Sequence, residues 1–416
     1  MSDVFLSPGL RTPFVKAGGA FVGYDAIGLS APVIKAMAAK AAPDLLVWGQ
    51  VIPDPVVTNI ARELVFEAGL SPNVPAYSTV LACSTSFIGA IQAAGMVGRG
   101  GLHLAMVGGV ETMSHVPLAL KPEFADKVVG QFAKDPGGAV QTLSQATPQD
   151  FNLPMGWANR QSGRSMGDHT EDTAKRFAIP REDQDRRALA SHRNAVAGQD
   201  SGFFGDLVMP FGGVEHDTIP RRDTSYEKLA SLAPVFDRTS GQGTLTAGNS
   251  SPNTDGAASI WVADAAGMAR LGLEPAVRFA DWEVTAMDYH EEGILMAPAR
   301  AIPRLLARNR LRFADVGLWN IHEAFAAQVL ANIKAASDPA YRREKAGVDF
   351  DLGPFDWSRV NPHGGSLAIG HPFAATGARI LSQATKELAA MASGTRAVVS
   401  VCADGGHGTV ALLERI

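Results

Sequence analysis

Two stretches of the chain follow one plan, and this internal repeat constrains the fold more than any other feature of the sequence. In the first stretch, 75–114, an apolar strand leads to Cys83, a helix is predicted over 86–98, and a strand over 102–107 runs into a turn at Gly108-Gly109. The alternation of strand, glycine-rich turn and helix is typical of α/β proteins.

The second stretch, 361–410, repeats this plan. Small residues lead to His371, a helix is predicted over 375–389, and a strand over 396–401 ends in the glycine-rich turn that begins at Cys402. In each stretch a chemically reactive residue comes just before a helix. Two similar halves packed around a central site would explain the repeat.

The region between the two stretches, 115–245, is more polar and richer in Pro and Gly. It predicts helices over 171–177 and 181–197, the second introduced by a Pro-Arg-Glu-Asp start signal. We interpret the region as an insertion into the first half that has a substrate-binding role. The expected domains are 1–114 together with 246–270, the insertion 115–245, and 271–416, which a second irregular segment, 337–360, interrupts.

Length and charge narrow the class of protein. A chain of 416 residues exceeds one compact core, so two or three packed units are expected. The net charge is -5 and no run of Lys or Arg occurs, so a nucleic-acid partner is not expected. The sequence has neither the basic and apolar pattern of a secretory signal nor about 20 successive apolar residues, and we expect a cytoplasmic enzyme without a membrane span.

Cys83 and Cys402 are the two cysteines of the chain, so a disulfide framework is excluded. The ordinary interpretation of either one is a small buried hydrophobic residue. Cys83, however, precedes a predicted helix, where the helix dipole lowers the pKa of a thiol and Ser84 to Ser86 can cap the helix. This context suits an activated thiolate nucleophile.

Four further residues have a sequence context that suggests chemistry. His371 lies between glycines in Gly370-His371-Pro372, and histidine is the usual base for a cysteine nucleophile, although a structural histidine in a proline turn is the alternative. Cys402 ends an apolar strand at a glycine-rich turn whose free N–H groups suit an oxyanion hole, although it also fits a buried strand end. His322 and Glu323 follow a strand over 318–321, where a functional turn and an ordinary helix start are both consistent.

Five motifs in order, spread over nearly the whole chain, resemble the thiolase family. They are Arg11-Thr12-Pro13-Phe14 with Gly18-Gly19; Cys83 with Ser86 and Ala90; Gly108 to Ser114; Thr244 to Gly256; and, counted together as the fifth, the histidine segment Asn361 to Arg379 and the second-cysteine segment Cys402 to Gly408. The resemblance implies an acyltransferase that breaks or makes the carbon–carbon bond of a 3-ketoacyl-CoA. It also implies a fold of two similar αβαβα halves around a central site, with an inserted loop domain.

The resemblance assigns roles to site residues. Cys83 would be the acylated nucleophile, His371 would activate it, and Cys402 would be the general acid and base. The backbone N–H groups of Cys83 and Asp404 would form an oxyanion hole. For substrate and CoA contacts the resemblance indicates Ser251, Met166, Phe325 and Arg222, or Arg221 if the alignment slips by one residue, with a solvated surface charge as the alternative for either arginine.

CoA enters as a substrate, and the resemblance implies neither a covalently bound cofactor nor a metal. His103, His192 and His216 have no metal-ligand spacing. The members of this family are usually dimers or tetramers, so a homo-oligomer that binds acyl-CoA and CoA is expected.

The sequence departs from the family pattern at two positions. Many thiolases have an asparagine, which holds a catalytic water, where this chain has His322, and a histidine there can also donate a hydrogen bond to a substrate oxygen. His322, the run Gly-His-Pro-Phe-Ala-Ala-Thr-Gly and the irregular segment resemble the β subunit of the trifunctional β-oxidation complex, which suggests a hydratase–dehydrogenase α subunit as a partner. Asp404 replaces a family glycine, and a carboxylate near Cys402 would disfavour its thiolate.

Two other enzymes of the same fold and one non-catalytic protein are the alternatives to this function. A ketoacyl synthase or a sterol-carrier type thiolase would share the fold, but Cys402 together with Glu323 argues against both. A non-catalytic thiolase-like subunit that binds acyl-CoA or a partner is the alternative from a different class. Degenerate members usually lose the site cysteine or histidine, whereas Cys83, His322, His371 and Cys402 are all present.

Overall fold

The structure is a computed structural model that describes residues 2–152 and 158–416. Its strands are β1 Phe5–Arg11, β2 Val15–Lys16, β3 Leu45–Gly49, β4 Ala76–Tyr77, β5 Leu104–Thr112, β6 Ala119–Leu120, β7 Phe151–Asn152, β8 Thr254–Ala263, β9 Val277–Ala286, β10 Leu318–Ile321, β11 Arg396–Ala403 and β12 His407–Arg415.

Helices alternate with these strands and also fill the insertion. They are α1 Ala26–Ala38, α2 Ile60–Glu67, α3 Thr85–Gly98, α4 Pro122–Phe132, α5 Pro136–Ser144, α6 Met166–Arg176, α7 Arg181–Asp200, α8 Tyr226–Ala230, α9 Ala265–Arg270, α10 Tyr289–Glu292, α11 Pro298–Arg308, α12 Ala326–Ser337, α13 Pro339–Tyr341, α14 Ser366–Ile369 and α15 Phe373–Ala389. Short 3₁₀ turns at Pro148–Asp150, Phe313–Asp315 and Trp357–Arg359 and a π turn at Arg342–Ala346 complete the described elements.

A single hydrogen-bonded sheet runs through both halves in the order β10-β11-β12-β9-β1-β8-β5-β3-β4, with β2 paired to β8. The pairs β3–β4, β3–β5 and β10–β11 are parallel, and the other pairs along this order are antiparallel. The two halves meet at the short pairing between β1 and β9, where Phe5 and Leu6 lie opposite Arg278 and Val277.

The helices form layers on the strands. Helices α3 and α15 pack against each other and against strands of both halves, and their buried residues join both strand sets in one core. Helices α1 and α2 cover the outer face of the first half, and α11 and α12 cover that of the second half. All nine residues of β5 are buried, as expected for a strand with helices on both faces.

A close approach between α3 and α15 brings the two sequence repeats together. Gly377 of α15 lies so near Phe87 of α3 that an added Cβ atom would come within 2.5 Å of the Phe87 backbone nitrogen. The Ser86 hydroxyl accepts a 2.7 Å hydrogen bond from the backbone N–H of Ala378. Since Cys83 and His371 each come just before one of these helices, this contact brings the two residues to one place.

The mixed α/β class is confirmed, and several element predictions are close. The predicted helices over 86–98, 181–197 and 375–389 correspond to α3, α7 and α15, and the strands over 318–321 and 396–401 correspond to β10 and β11. The helix predicted over 171–177 begins five residues earlier, at Met166, because Ser165 and Asp168 form a capping box. Between 337 and 360 the chain forms only short turns.

The predicted turn at Gly108-Gly109 is wrong, because both glycines lie inside β5. They are needed there for close packing rather than for a turn. An added Cβ atom would contact the Trp48 ring at Gly108 and the Ala374 backbone at Gly109. The predicted apolar strand before Cys83 is also shorter, since β4 contains only Ala76 and Tyr77.

The insertion predicted over 115–245 carries β6, β7 and the helices α4 to α8. Helix α7 packs on α12 and α14 of the second half, and α6 packs on α12. The division of the chain into three domains stays a prediction. Among the described residues, no helix is both long enough and apolar enough to cross a membrane.

Candidate active site

Cys83 and His371 meet at the adjoining starts of α3 and α15. The Cys83 Sγ atom lies 3.2 Å from Nε2 of His371, and both side chains are buried. Ala82, just before the cysteine, has a φ of 43°, which is uncommon for a residue other than glycine and fixes a tight turn into α3. This geometry presents the sulfur directly to the imidazole.

The hydrogen bonds around His371 assign its protonated nitrogen. Thr376 donates its hydroxyl proton to the carbonyl of Pro372, and its oxygen lies 2.7 Å from Nδ1 of His371. Nδ1 therefore carries the imidazole proton, and Nε2 is free to accept a proton from Cys83. The Thr254 hydroxyl accepts a 3.0 Å hydrogen bond from the His371 backbone N–H and fixes the residue from a second side.

His322 lies against His371, with the ring centroids 4.2 Å apart. Its Nδ1 atom is 2.8 Å from the hydroxyl of Ser366, which in turn accepts a 2.6 Å hydrogen bond from Arg379. Nε2 of His322 is buried and has no hydrogen-bond partner among the described residues. With Ser366 donating to Nδ1, Nε2 carries a proton that a substrate oxygen could accept.

Burial keeps the site residues neutral. It lowers the pKa of His371 to about 3, with Arg379 adding to the effect, and lowers that of His322 well below its usual range. It raises the pKa of the Cys83 thiol to about 12, and the charge of Asp404 raises it further. Burial and the Asp404 carboxylate thus oppose the lowering of the thiol pKa that the sequence predicts from the helix dipole.

The structure does not show the capping of α3 that the sequence predicts for Ser84. Ser84 is the N-cap residue of α3 but its side chain makes no capping hydrogen bond. Its hydroxyl instead donates to the carbonyl of Val401 and lies 2.9 Å from the Thr409 hydroxyl. These contacts tie the start of α3 to β11 and β12, and so position Cys83 beside the end of β11.

Cys402 is the last residue but one of β11 and is buried. Burial raises its pKa well above the usual value, and a thiolate at Cys83 would raise it further. The carboxylate of Asp404 acts on Cys83, not on Cys402 as the sequence suggested.

The backbone N–H groups of Asp404 and of Cys83 itself lie close enough to the Cys83 sulfur to lower the pKa of the thiol. The two groups that the sequence suggests for an oxyanion hole are thus near one another and near the nucleophile. The Asp404 carboxylate is turned toward the insertion, where Asn159 donates a 2.8 Å hydrogen bond to it.

The residues expected to bind the acyl group line an apolar wall next to Cys402. Met166 at the start of α6 and Phe325 just before α12 belong to the same hydrophobic cluster as Cys402. Phe236 packs edge-to-face on Phe325. This cluster joins the insertion to the second half at the site.

The residues expected to bind CoA differ in their distance from the site and in their burial. Ser251 is half-buried and its backbone N–H donates a 2.9 Å hydrogen bond to the carbonyl of Ala324, so it lies beside the His322–Phe325 segment. Arg222 is exposed and forms a two-pronged ion pair with Asp200. The structure therefore brings Ser251 to the site but leaves Arg222 on the surface, next to the equally exposed Arg221.

The comparisons with known proteins agree with this geometry. Residues 4–266 match the N-terminal domain of thiolase, and residues 273–415 match its C-terminal domain. The chain belongs to the thiolase family. It is 37% identical over 98% of its length to the 3-ketoacyl-CoA thiolase of Yersinia enterocolitica, of which 95% is covered, and 36% identical with the same coverage to that of Yersinia pestis.

Solved structures confirm the thiolase fold. The Bacillus anthracis acetyl-CoA acetyltransferase superposes with a TM-score of 0.82 at 27% identity, covering 100% of this chain and 99% of the other. Human mitochondrial 3-ketoacyl-CoA thiolase gives 0.82 at 26% with the same coverage. A thiolase from Ascaris suum in complex with coenzyme A gives 0.81 at 26% and covers both chains fully. The expected thiolase function and acyltransferase class are thereby confirmed.

The sequence did not identify the residues that orient the site of this thiolase. Thr376 and Ser366 fix the two histidines, and Asn159 holds Asp404. Glu111 accepts hydrogen bonds from the backbone N–H groups of Val51, Ile52 and Ala374, and so anchors the first turn of α15. Thr376 and Ser366 lie within the histidine motif, which was the only signal for them.

Glu323, like Glu111, is a buried carboxylate that holds the site in place, and the sequence did not indicate this role. It is fully buried and accepts hydrogen bonds from Arg187 and Ser191 of α7 and from Asn361. Arg187 also forms a salt bridge with it. Glu323 thus ties the insertion to the segment that carries His322.

Cys83, His322 and His371 form the one cluster among the described residues whose geometry could hold a metal ion. One ligand atom each of Cys83, His322 and His371 lie within 4.8 Å of one another. The family resemblance predicts these three residues at one site, although it does not predict a metal there.

Proposed function

We propose that this thiolase catalyses the reversible, CoA-dependent cleavage of 3-ketoacyl-CoA to acetyl-CoA and a shortened acyl-CoA through an acyl group on Cys83. The observation that carries the proposal is the 3.2 Å contact between Cys83 Sγ and the proton-accepting Nε2 of His371. The Yersinia relatives, which the chain matches over nearly its whole length, are 3-ketoacyl-CoA thiolases. That substrate implies a role in fatty-acid β-oxidation.

In the first half-reaction, His371 accepts the thiol proton as the sulfur of Cys83 attacks the 3-keto carbon. The carbon–carbon bond then breaks, its electron pair forms the enolate of acetyl-CoA, and Cys402 gives its proton to the enolate carbon. His322 is assigned to the thioester oxygen, since its unpartnered nitrogen is a donor in a buried site. Because the resting thiol and imidazole are both neutral, proton transfer is coupled to the attack.

In the second half-reaction, the Cys402 thiolate takes the proton of incoming CoA. The CoA sulfur attacks the acyl carbon, and the N–H groups of Cys83 and Asp404 bind the oxyanion that forms. The bond from the acyl carbon to Cys83 breaks, and His371 returns the proton to the sulfur. Claisen condensation follows the same path in reverse, and concentrations decide the direction.

Substrate binding is assigned to the wall beside Cys402. Met166 and Phe325 are proposed to contact the acyl group, because both share the apolar cluster of Cys402. Ser251 is proposed to contact the pantetheine of CoA. Arg222 is proposed for the CoA phosphates, for which it would have to exchange its pairing with Asp200.

The oligomeric state, the partner subunit and the cellular location of the enzyme are also proposed here. A homodimer or tetramer, and association with a hydratase–dehydrogenase α subunit, rest on the family resemblance and on His322. A cytoplasmic location is supported by the chemistry, since Cys83 and Cys402 are both needed as free thiols and a reducing compartment keeps them so. Co-purification of the native protein without a second subunit would contradict the α-subunit partnership.

The alternative is a non-catalytic subunit that binds acyl-CoA or a partner protein. The alignment of Cys83 with His371, with each histidine fixed at Nδ1 by a hydroxyl, favours catalysis, because a binding subunit has no need of that arrangement. The two functions differ in whether a covalent intermediate forms.

Thiolysis of 3-ketoacyl-CoA substrates of rising chain length, followed by intact-protein mass spectrometry, tests the proposal. We expect turnover and an acyl mass that is absent in Cys83→Ser. Cys402→Ser should lose carbon–carbon bond cleavage, and it should accept an acyl group on Cys83 from acyl-CoA only slowly, because Cys402 also returns the proton to the departing CoA. No turnover and no acyl mass with any chain length would favour the binding subunit instead.

A further inference from the structure

The three side chains at the reacting centre are also ligands that zinc prefers. Zn²⁺ binds Cys thiolates and His nitrogens, and its open tetrahedral sites have three protein ligands and one position for water. With Zn–S near 2.3 Å and Zn–N near 2.0–2.1 Å, the ligand atoms of such a site lie roughly 3.3–3.7 Å apart. Cys83 Sγ and His371 Nε2 are 3.2 Å apart, and the full set lies within 4.8 Å, so small side-chain shifts complete the geometry.

A nitrogen without a hydrogen-bond partner among the described residues belongs to the same site. Nε2 of His322 is fully buried and has no hydrogen-bond partner among the described residues. A buried polar atom without a partner costs free energy, and an ion bound there would remove that cost. The nitrogen belongs to the cluster with Cys83 and His371.

Both histidines already have the outer hydrogen bonds that metal-binding histidines require. Thr376 contacts Nδ1 of His371 at 2.7 Å, and Ser366 contacts Nδ1 of His322 at 2.8 Å. Such contacts fix the orientation of the ring and leave Nε2 for the ion. The arrangement therefore provides both the ligands and their support.

The local charges also favour a cation. The carboxylates of Asp404 and Glu111 both act on Cys83 and disfavour a bare thiolate there. A zinc–thiolate unit carries a net charge of +1, so the negative charge of Asp404 stabilises it. The positive charge of Arg379 acts on both histidines and opposes the binding of a cation. The negative charges of Glu323, Asp217 and Glu387 act on Arg379 and offset its charge.

We propose that Cys83, His322 and His371 form a reversible inhibitory site for Zn²⁺ or a similar thiophilic divalent cation. On binding, the thiol proton of Cys83 is released to solvent as the sulfur–metal bond forms. The imidazole proton of His322 moves from Nε2 to Nδ1, where Ser366 accepts it, and His371 binds through its free Nε2. The ion takes the sulfur lone pair that attacks the substrate, so metal binding and acylation exclude each other.

Direct binding to the full-length enzyme tests the site without relying on turnover. The tag-free protein is stripped with a chelator and titrated with Zn²⁺ by calorimetry and with Co²⁺ by absorption spectroscopy. We expect one ion per chain, a thiolate-to-cobalt charge-transfer band and tetrahedral cobalt bands. No saturable binding, or cobalt bands without the thiolate band, would overturn the proposal.

Variants locate the ion. Cys83→Ser and His322→Asn should each weaken binding by at least tenfold, and Ser366→Ala, which removes only an outer contact, by about 10- to 100-fold. Cys402→Ser is the matched control and should retain both the affinity and the thiolate band. Unchanged affinity in His322→Asn, or loss of the thiolate band in Cys402→Ser, would show that the ion binds elsewhere and refute the site.

The inhibitory consequence has its own measurement. The acyl mass on Cys83 is recorded with and without one equivalent of Zn²⁺, and again after a chelator is added. We expect the ion to suppress the acyl mass and the chelator to restore it. Acylation at full rate in the zinc-bound enzyme would overturn the inhibitory role, whereas an absence of acylation without zinc would count against the proposed function and leave the binding result intact.

Discussion

Asn159 of the insertion donates a 2.8 Å hydrogen bond to the carboxylate of Asp404, whose charge raises the pKa of the Cys83 thiol. A residue from the stretch 115–245 thus holds a negative charge beside the nucleophile. Asp404 also has its backbone N–H close to the Cys83 sulfur. Asp404 therefore has a side chain that opposes the thiolate and a backbone group that favours it.

We expect Asp404→Asn to make Cys83 more reactive toward alkylation. The carboxylate raises the pKa of the thiol, so removing its charge lowers that pKa and increases the thiolate fraction at a given pH. The rate of Cys83 alkylation by iodoacetamide at pH 8 should rise on the order of tenfold. Mass spectrometry of the modified protein measures this rate.

Asp404→Glu is the control for this change, since it keeps the charge and should keep the slow alkylation. The backbone N–H remains in both variants, so a difference between them reports on charge alone. Equal alkylation rates for the wild type and Asp404→Asn would show that the carboxylate does not control Cys83.

The pH dependence of acylation should lack a transition near the usual pKa of histidine. Burial lowers the pKa of His371 to about 3, so the imidazole stays neutral and able to accept a proton at every pH above about 5. The single-turnover rate of Cys83 acylation should therefore not fall between pH 7.5 and pH 5.5 through protonation of His371. A tenfold fall with a midpoint near 6.5 would contradict this expectation.

Thr376→Val tests how the protonated nitrogen of His371 is fixed. The change keeps the side-chain volume but removes the oxygen that contacts Nδ1, so Nε2 is no longer held in its proton-accepting form. Because general base catalysis is typically worth 10²- to 10⁴-fold, we expect acylation to slow by roughly 10- to 100-fold. His371→Ala should lose the whole effect, and equal rates for Thr376→Val and the wild type would refute the assignment.

Gly377→Ala should destabilise the protein and separate the two central helices. The added Cβ atom would lie 2.5 Å from the backbone nitrogen of Phe87, and the backbone cannot yield as a side chain does. We expect a loss of about 1–3 kcal/mol in the free energy of unfolding, measured by urea denaturation. Acylation should slow as well, because the contact between α3 and α15 aligns Cys83 with His371.

Gly95→Ala is the matched control within α3. An added Cβ atom at Gly95 meets nothing within 4 Å, and alanine is the better helix former. This variant should gain about 0.5–1 kcal/mol in the free energy of unfolding. Similar losses for Gly377→Ala and Gly95→Ala would show that the helix contact is not the cause.

Arg222→Ala should raise the KM for CoA with little change in kcat, if Arg222 leaves Asp200 to bind a CoA phosphate. The loss of one charge-assisted hydrogen bond corresponds to roughly a tenfold rise in KM. Asp200→Asn frees Arg222 and should leave the KM for CoA unchanged or lower. A rise for Arg221→Ala alone would assign the phosphate contact to the neighbouring arginine.

The sequence by itself determined the class of fold and the helices after Cys83 and His371, and it indicated the candidate reactive residues. These features are local, because a helix start, a strand and a glycine-rich motif are written in consecutive residues. The five motifs added the family, since their order along the chain does not depend on how they are packed.

Only the tertiary structure decided the chemical state of the site. The pKa of Cys83 depends on burial and on Asp404, which lies 321 residues away along the chain, and both act against the helix dipole that the local sequence indicates. Gly108 and Gly109 read locally as a turn, yet contacts with Trp48 and Ala374 make them part of a buried strand. The partners Thr376, Ser366 and Asn159 acquire their roles only when α3, α15 and the insertion meet, because desolvation and hydrogen bonding are set by neighbours in space.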